Sequence, residues 1–192
     1  MGDTIWMTLP GVVLREWTQV VGSSDGLVLM VLEDFYKFLV NPITRQKVKV
    51  PETPLALKRM ESFNMHGFGY DSSSDDYKIV TLSRYDTANE HRSNDTFVDV
   101  YSVKKGVWKR VDNSPYDHVV PRLPRWATNI RTLSPGVFLN GTIHWLARSR
   151  TQSVIAAFNL AHEVFVEIPA SSVVDVHMLS SISLWFLEVV FA

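Results

Sequence analysis

The 192-residue sequence contains no cysteine. This excludes disulfide bonds, thiolate metal sites and cysteine nucleophiles, and it is compatible with a reducing compartment, so we expect a cytoplasmic or nuclear location. An excess of one charge is also missing, because 19 Lys and Arg stand against 20 Asp and Glu for a formal net charge of -1. A chain without an overall positive field is a poor candidate for nucleic-acid binding.

Long hydrophobic runs are absent as well. The most apolar segment, SISLWFLEVVFA at residues 181–192, is interrupted by Glu188 and is shorter than the ~18 residues of a spanning helix. The N-terminal MGDTIWMTLPG has no basic region followed by a continuous apolar stretch, so it is not typical of a secretory signal. We therefore expect no membrane contact. With 46% hydrophobic and 20% charged residues, the composition is that of a globular domain with a real core.

An internal repeat is the main feature that the sequence does contain. The segments LVNPITRQKVKVP, VYSVKKGVWKRVD and AFNLAHEVFVEIP each lead from an apolar run through a turn residue into an alternating strand. The turn residues are Asn41, Ser102 and Asn159, at offsets of 61 (102 minus 41) and 57 (159 minus 102) residues. Each segment predicts a β-hairpin, and repeats of this size with short β-branched and aromatic runs are typical of four-stranded propeller blades. The sequence therefore predicts an all-β fold.

The stretch Gly22 to Gly26 spells G-x-S-x-G, the nucleophile-elbow pattern of serine hydrolases, with Ser24 in the nucleophile's position. The elbow requires a strand that turns sharply into a helix. We expect residues 27–32 to form a strand at the repeat position of residues 137–139, which would make Ser24 a turn residue. A helix over residues 27–40, and with it a hydrolase, remains the alternative.

Six motifs in order resemble the F-box-associated domain of plant F-box proteins, of the kelch-like type: GSSDGLV, NPITRQKVKVP, GFGYDSSSDDYKIV, VDVYSVKKGVWKRV, GVFLNGTIHWLA and VIAAFNLAHEVFVEIP. The resemblance covers residues 20–170 and implies an incomplete kelch-like β-propeller of about three blades. Residues 1–19 would be a remnant without a complete F-box, and residues 171–192 a divergent apolar tail. Structural turn roles are expected for Gly22, Asp25, Gly26, Asn41, Pro42, Gly67, Gly69, Asp71, Asn140 and Gly141.

The resemblance implies a substrate adaptor of an SCF ubiquitin ligase, in which an F-box docks on the Skp subunit and the associated domain holds a target protein. We expect a non-enzymatic protein-recognition module that contacts Skp only if an F-box is supplied elsewhere. The alternatives are the hydrolase at Ser24 and a non-functional truncated product. No cofactor, metal site or catalytic residue is predicted.

The candidate binding surface is the Pro-rich segment of residues 112–134, which is long for a connection within a domain. It combines aromatic and arginine side chains, the usual anchors of protein interfaces: Tyr116, Arg122, Arg125, Trp126 and Arg131. By contrast, Trp108, Trp145 and Phe165 are predicted to pack between blades, because aromatic residues at repeated positions are more often core than ligand platforms.

Overall fold

A computed structural model describes residues 18–32, 36–54, 62–85, 95–118, 132–133, 135–149 and 152–169. These residues form fourteen strands and, within the described ranges, no helix. The strands are β1 (Thr18–Ser24), β2 (Leu27–Leu32), β3 (Tyr36–Asn41), β4 (Gln46–Lys49), β5 (Ser62–Asp71), β6 (Asp76–Tyr85), β7 (Thr96–Ser102), β8 (Val107–Arg110), β9 (Asp117–His118), β10 (Thr132–Leu133), β11 (Val137–Leu139), β12 (Thr142–Ser149), β13 (Gln152–Asn159) and β14 (Val164–Pro169).

The strands assemble into three sheets of consecutive antiparallel strands, which we call blades. Blade 1 is β1 to β4, blade 2 is β5 to β8 with β10 parallel to β5, and blade 3 is β11 to β14 with β9 beside β12. Closed propellers contain 4 to 8 such blades. The prediction of an all-β, incomplete propeller of about three blades is confirmed.

The sequence repeat corresponds to the loop between the third and fourth strand of each blade. Asn41 and Asn159 each accept hydrogen bonds through Oδ1 from the backbone amides two and three residues later, and Ser102 Oγ accepts one from Lys105. The residue before the fourth strand has a positive φ in all three loops: 58° at Arg45, 68° at Gly106 and 56° at Glu163. Short polar side chains that cap their own loop explain why Asn or Ser recurs there.

Two-residue turns join the first and second strands of blades 1 and 3. Asp25-Gly26 and Asn140-Gly141 have positive φ at both residues, as a type I′ hairpin requires. The strand predicted after Gly26 is confirmed as β2, so both the helix over residues 27–40 and the nucleophile elbow are wrong. Its counterpart in blade 3 is β12, however, and not residues 137–139, because the Asn140-Gly141 turn precedes β12.

Three glycines predicted to lie in turns lie within strands instead. Gly22 is in β1, beside a register shift, and Gly67 and Gly69 are in β5. The positive φ expected at Gly67 and Gly69 is absent. A Cβ at Gly67 would lie 2.5 Å from Ile143 Cγ2, and one at Gly69 would lie 2.1 Å from Phe138 Cδ2. These two glycines are needed because blade 3 approaches the backbone of blade 2 there.

The two largest clusters of the core lie on opposite sides of blade 2. Leu29 and Val31 of blade 1 pack against Phe68 and Ile79 of blade 2. On the other side, the side chains of blade 2 that meet Ile143, Trp145, Phe158 and Leu160 of blade 3 are Met65, Val80, Leu82, Val98 and Val100. Blade 2 is therefore packed on both faces, between blade 1 and blade 3.

Candidate protein-recognition surface

The blades have two unlike ends. The turns at residues 25–26, 42–45, 72–75, 103–106, 140–141 and 160–163 lie at one end, which we call the turn end. The opposite end, the strand end, holds the terminal residues Leu32, Tyr36, Tyr85, Thr96, Ser149 and Gln152. Because successive antiparallel strands run in opposite directions, these two sets of positions lie at opposite ends of the strands.

At the turn end, Lys78 of blade 2 links two loops. Its Nζ donates to the carbonyl of Leu160 at 2.6 Å and lies 2.9 Å from Asp71 Oδ2 and 3.1 Å from Glu163 Oε1. Burial alone would lower the pKa of Lys78, but its hydrogen bonds to Asp71 and Glu163 raise it. Likewise, burial would raise the pKa of Asp71, but hydrogen bonds from Ser73, Ser74 and Lys78 hold it well below its usual range.

Exposed residues at the turn end also pair with one another. Tyr70 donates its hydroxyl to Asp75 Oδ1 at 2.6 Å, which raises the pKa of Tyr70 to about 12. Lys104 Nζ lies 3.1 Å from Asp75 Oδ2. These hydrogen bonds and ion pairs connect the short loops of the turn end to one another.

The strand end has a different set of contacts. One group of them involves Arg84, near the end of β6. Arg84 Nη1 donates to Asp117 Oδ1 at 2.5 Å and to the carbonyl of His118 at 3.1 Å. Asp117 is 64% exposed, whereas His118 is buried, with Nε2 2.7 Å from Ser114 Oγ. Burial, with a further contribution from the charge of Arg84, lowers the pKa of His118 to about 4. A neutral His118 thus anchors the segment that carries Asp117.

On the face of blade 2 toward blade 1, aromatic rings and a second arginine lie together. Tyr85 and Phe97 meet edge to face with ring centroids 6.2 Å apart. The guanidinium carbon of Arg110 lies 4.8 Å from the Phe97 ring centroid, and its Nε and Nη2 donate to the two carboxylate oxygens of buried Asp99 at 2.9 and 3.1 Å. The bidentate contact with Asp99 fixes the guanidinium plane over the Phe97 ring.

These two groups lie at the same end of blade 2 but on its opposite faces, Arg84 with Asp117 toward blade 3 and the rings with Arg110 toward blade 1. We call them together the strand-end surface, which comprises Arg84, Tyr85, Phe97, Arg110, Tyr116 and Asp117. All six side chains are half-buried or exposed. Rigid aromatic rings and arginines lose little conformational entropy on binding and are enriched among the residues that dominate protein interfaces. The strand-end surface therefore has the side-chain composition typical of protein interfaces.

Of the residues predicted for binding, only Tyr116 is described by the structure. It packs against the aliphatic cluster of Ala147, Val154 and Ala156, and its ring lies 6.1 Å from that of Phe165. The others, Arg122, Arg125, Trp126 and Arg131, lie outside the described residues.

The aromatic residues assigned to blade packing lie between sheets. Trp108 donates Nε1 to the carbonyl of Pro51 in blade 1 at 2.8 Å and packs on Tyr101 with ring centroids 5.0 Å apart. Trp145 is 3% exposed in the layer between blades 2 and 3. Phe165 is half-buried, with its ring centroid 5.0 Å from that of Phe158.

Sequence reasoning missed Arg84, Tyr85, Phe97 and Arg110. The available signal was weak: "SRY" ends one apolar run and "TF" begins the next. A charged or aromatic residue at the start or end of a strand is distinguished from one in mid-strand only when the boundaries are known.

The hydrolase alternative depends on the surroundings of the serine and histidine side chains. Ser24 Oγ donates to the carboxylate of its neighbour Asp25 at 2.9 Å. Ser114 and His118 form a close pair, but within the described part of the chain no group hydrogen-bonds to His118 Nδ1, where a catalytic triad places its carboxylate. No group of three or more His, Asp or Glu side chains in that same part could hold a metal ion, and it contains no helix that could span a membrane.

Comparison with known proteins gives a consistent picture. The model of the F-box-associated β-propeller domain matches residues 13–186. An F-box/kelch-repeat protein of Arabidopsis thaliana is 30% identical over 159 residues, covering 81% of this chain and 39% of that protein. The F-box protein CPR1 of the same plant is 30% identical over 185 residues, covering 84% of this chain and 42% of that protein. The chain spans about two fifths of the length of these relatives.

Proposed function

The chain belongs to the F-box-associated β-propeller domain family, and we propose that it is a protein-recognition module that holds a target protein at the strand-end surface. The family assignment and the F-box relatives support a role in recognition. The observation that carries the choice of surface is that two arginines and three aromatic rings lie at the strand end, on the two faces of blade 2 and on the adjoining segment that packs on blade 3.

The turn end is the less suitable of the two ends. Its buried ion pairs, those of Lys78 with Asp71 and Glu163, hold two loops together, so a partner that engaged these groups would have to displace existing contacts. At the strand end, Asp117 and the rings of Tyr85 and Phe97 remain accessible to a partner. The strand end also contains ion pairs, Arg84 with Asp117 and Arg110 with Asp99, but the rings beside them offer apolar surface that a partner can bury.

In a longer protein with an F-box, this module would present its target to an SCF ubiquitin ligase for ubiquitination. The helical F-box makes the contact with the Skp subunit in such adaptors, so we expect the blades alone not to bind Skp. We further propose a cytoplasmic or nuclear location, on the basis of the cysteine-free composition.

Charge reversal at each end tests the choice of surface. Asp117→Arg changes an aspartate that is 64% exposed and paired with one cation, and Asp75→Arg changes a 77% exposed, similarly paired aspartate at the turn end. Each variant would be used to capture proteins from plant extract, with quantification relative to the wild type by mass spectrometry. We expect Asp117→Arg to lose the proteins that the wild type and Asp75→Arg retain. The reverse pattern would place recognition at the turn end.

The adaptor role is tested with purified Skp protein in a pull-down. We expect the chain to be retained only after an F-box has been fused to its N-terminus. Retention of the unfused chain would contradict the proposal that the blades serve only in target recognition.

A further inference from the structure

The outermost strands of the three blades, β4, β8 and β14, occupy the same place in their sheets but differ in how they are protected. β4 (QKVK) and β8 (VWKR) are four residues long, and each carries two cationic side chains. β14 (VFVEIP) is six residues long and carries none. Short length and lysines are the usual means by which edge strands avoid pairing with other strands. Among the three outer edges, β14 alone lacks both.

The side chains of β14 support this distinction. Val164 is 50% exposed and Val166 is 55% exposed, on the face of blade 3 away from blade 2. Within the described residues, β14 pairs with β13 on one side and with no strand on the other. The outer strand of a blade lies at the rim of a propeller, so further blades packed on the sheet faces would leave this edge open.

We propose that β14 pairs antiparallel with β14 of a second copy of this chain, about a two-fold axis at Val166. This register places Val166 opposite its own counterpart, Val164 opposite Ile168, and Phe165 opposite Glu167. The exposed row then forms apolar pairs, and the carboxylate of Glu167 faces a ring. Pro169, which has no amide hydrogen to donate, lies beyond the five-residue ladder.

Other pairings are disfavoured by charge. A two-fold axis at Glu167 would place two carboxylates directly opposite each other, which is destabilising. Pairing β4 or β8 with its counterpart would bring four cations together in a four-residue ladder. The β14 contact is the same on both copies and therefore closes at a dimer, in which the two five-stranded sheets of blade 3 form one continuous sheet.

Lysine substitution of equally exposed valines tests the dimer. Val166→Lys places cations opposite each other at the two-fold axis, whereas Val107→Lys makes the same change on β8 at a residue that is 53% exposed. By light scattering after size exclusion, we expect the wild-type chain and Val107→Lys to have twice the mass of one chain and Val166→Lys the single mass. A monomeric wild type, or a dimer that survives Val166→Lys, would overturn the proposal.

A second variant identifies the register and does not depend on loss of assembly. Because the chain has no cysteine, Val166→Cys introduces a unique thiol. Directly opposed residues of antiparallel strands have Cα atoms about 4.5 to 5.5 Å apart, within the range of a disulfide. Added diamide, which accepts the two hydrogens of a thiol pair, should link Val166→Cys into a covalent dimer and leave Val107→Cys as single chains. Equal linking of both variants, or larger linked species, would contradict the two-fold β14 contact.

Discussion

Substitution of Gly67 by alanine should destabilise the protein by forcing blade 3 away from blade 2. The added Cβ would lie 2.5 Å from Ile143 Cγ2 and 2.8 Å from Trp145 Cζ2, whereas carbon atoms in contact are about 3.5 to 4.0 Å apart. Ile143 is 0% and Trp145 3% exposed, so neither side chain has free space to occupy. A displacement of roughly 1 Å in a closed core corresponds to about 2 to 3 kcal/mol.

Gly22 provides a matched control, because it also lies in the first strand of a blade. A Cβ there would meet the carbonyl oxygen and Cβ of Phe68 at 3.7 and 3.8 Å, which are ordinary contacts. Alanine is preferred over glycine in a strand by roughly 0.5 to 1 kcal/mol. We therefore expect Gly22→Ala to be neutral or slightly stabilising.

Urea and thermal unfolding measure both variants. For a chain of this size, 2 to 3 kcal/mol corresponds to a fall in Tm of roughly 4 to 12 °C. In a double variant, Gly67→Ala with Ile143→Ala, the loss in free energy of unfolding should be smaller than the sum of the two single losses by at least about 1 kcal/mol. The reason is that removing the Ile143 side chain makes room for the new methyl group. If Gly67→Ala unfolds like Gly22→Ala, or if the two effects are additive, blades 2 and 3 do not pack as described.

Three further predictions concern charge and chemistry. The pKa of His118 in the folded state, about 4, is below its ordinary 6.5, so the unfolded state binds the proton more strongly. The contribution of neutral His118 to the free energy of unfolding is therefore complete above pH 6.5, and it falls by up to about 3 kcal/mol as the pH is lowered to 4. His118→Gln should therefore reduce the loss of stability between pH 7 and pH 5, as measured by urea unfolding at each pH. Burial of His144 lowers its pKa and so acts in the same direction. If the free energy of unfolding of the variant depended on pH as steeply as that of the wild type, His118 would be excluded as the source of the loss. Lys78→Met should cost about 3 kcal/mol by leaving the buried carboxylate of Asp71 without its cation, whereas Glu163 keeps its ion pair with Lys109. Lys104→Ala, which removes an exposed pair, should cost at most about 0.5 kcal/mol, and equal unfolding midpoints for the two variants would contradict this. A fluorophosphonate probe should not label the chain, and stoichiometric labelling that disappears in Ser24→Ala would restore the hydrolase hypothesis.

The turns could be predicted from sequence because their causes are local. Asn41, Ser102 and Asn159 cap loops of a few residues with their own side chains, and Asn140-Gly141 sets its turn through backbone conformation alone. Such interactions depend on neighbours in the chain, so spacing and residue type are sufficient evidence. The all-β prediction followed from the same local signals.

The glycines of "GFGY" show where this reasoning fails. A glycine that relieves backbone strain and one that admits a neighbouring side chain look identical in sequence. At Gly67 and Gly69 the neighbours are Ile143 and Phe138, about seventy residues further along the chain. Only the packing of one blade on the next distinguishes a close approach from a turn, and that packing is a long-range property.

The same contrast explains why the candidate site was only partly predicted. The residues that repeat between blades are those that every blade needs, and they collect in the hairpins of the turn end. Arg84, Tyr85 and Phe97 have no equivalents required by blade geometry, and they come to lie at the same end of blade 2 only because β6 and β7 pair in the observed register. A surface free of the constraints of the repeat can vary without unfolding the blade, as a recognition surface must in order to bind different targets. In a repeat protein, the residues that the repeat does not explain are therefore the ones to examine for function.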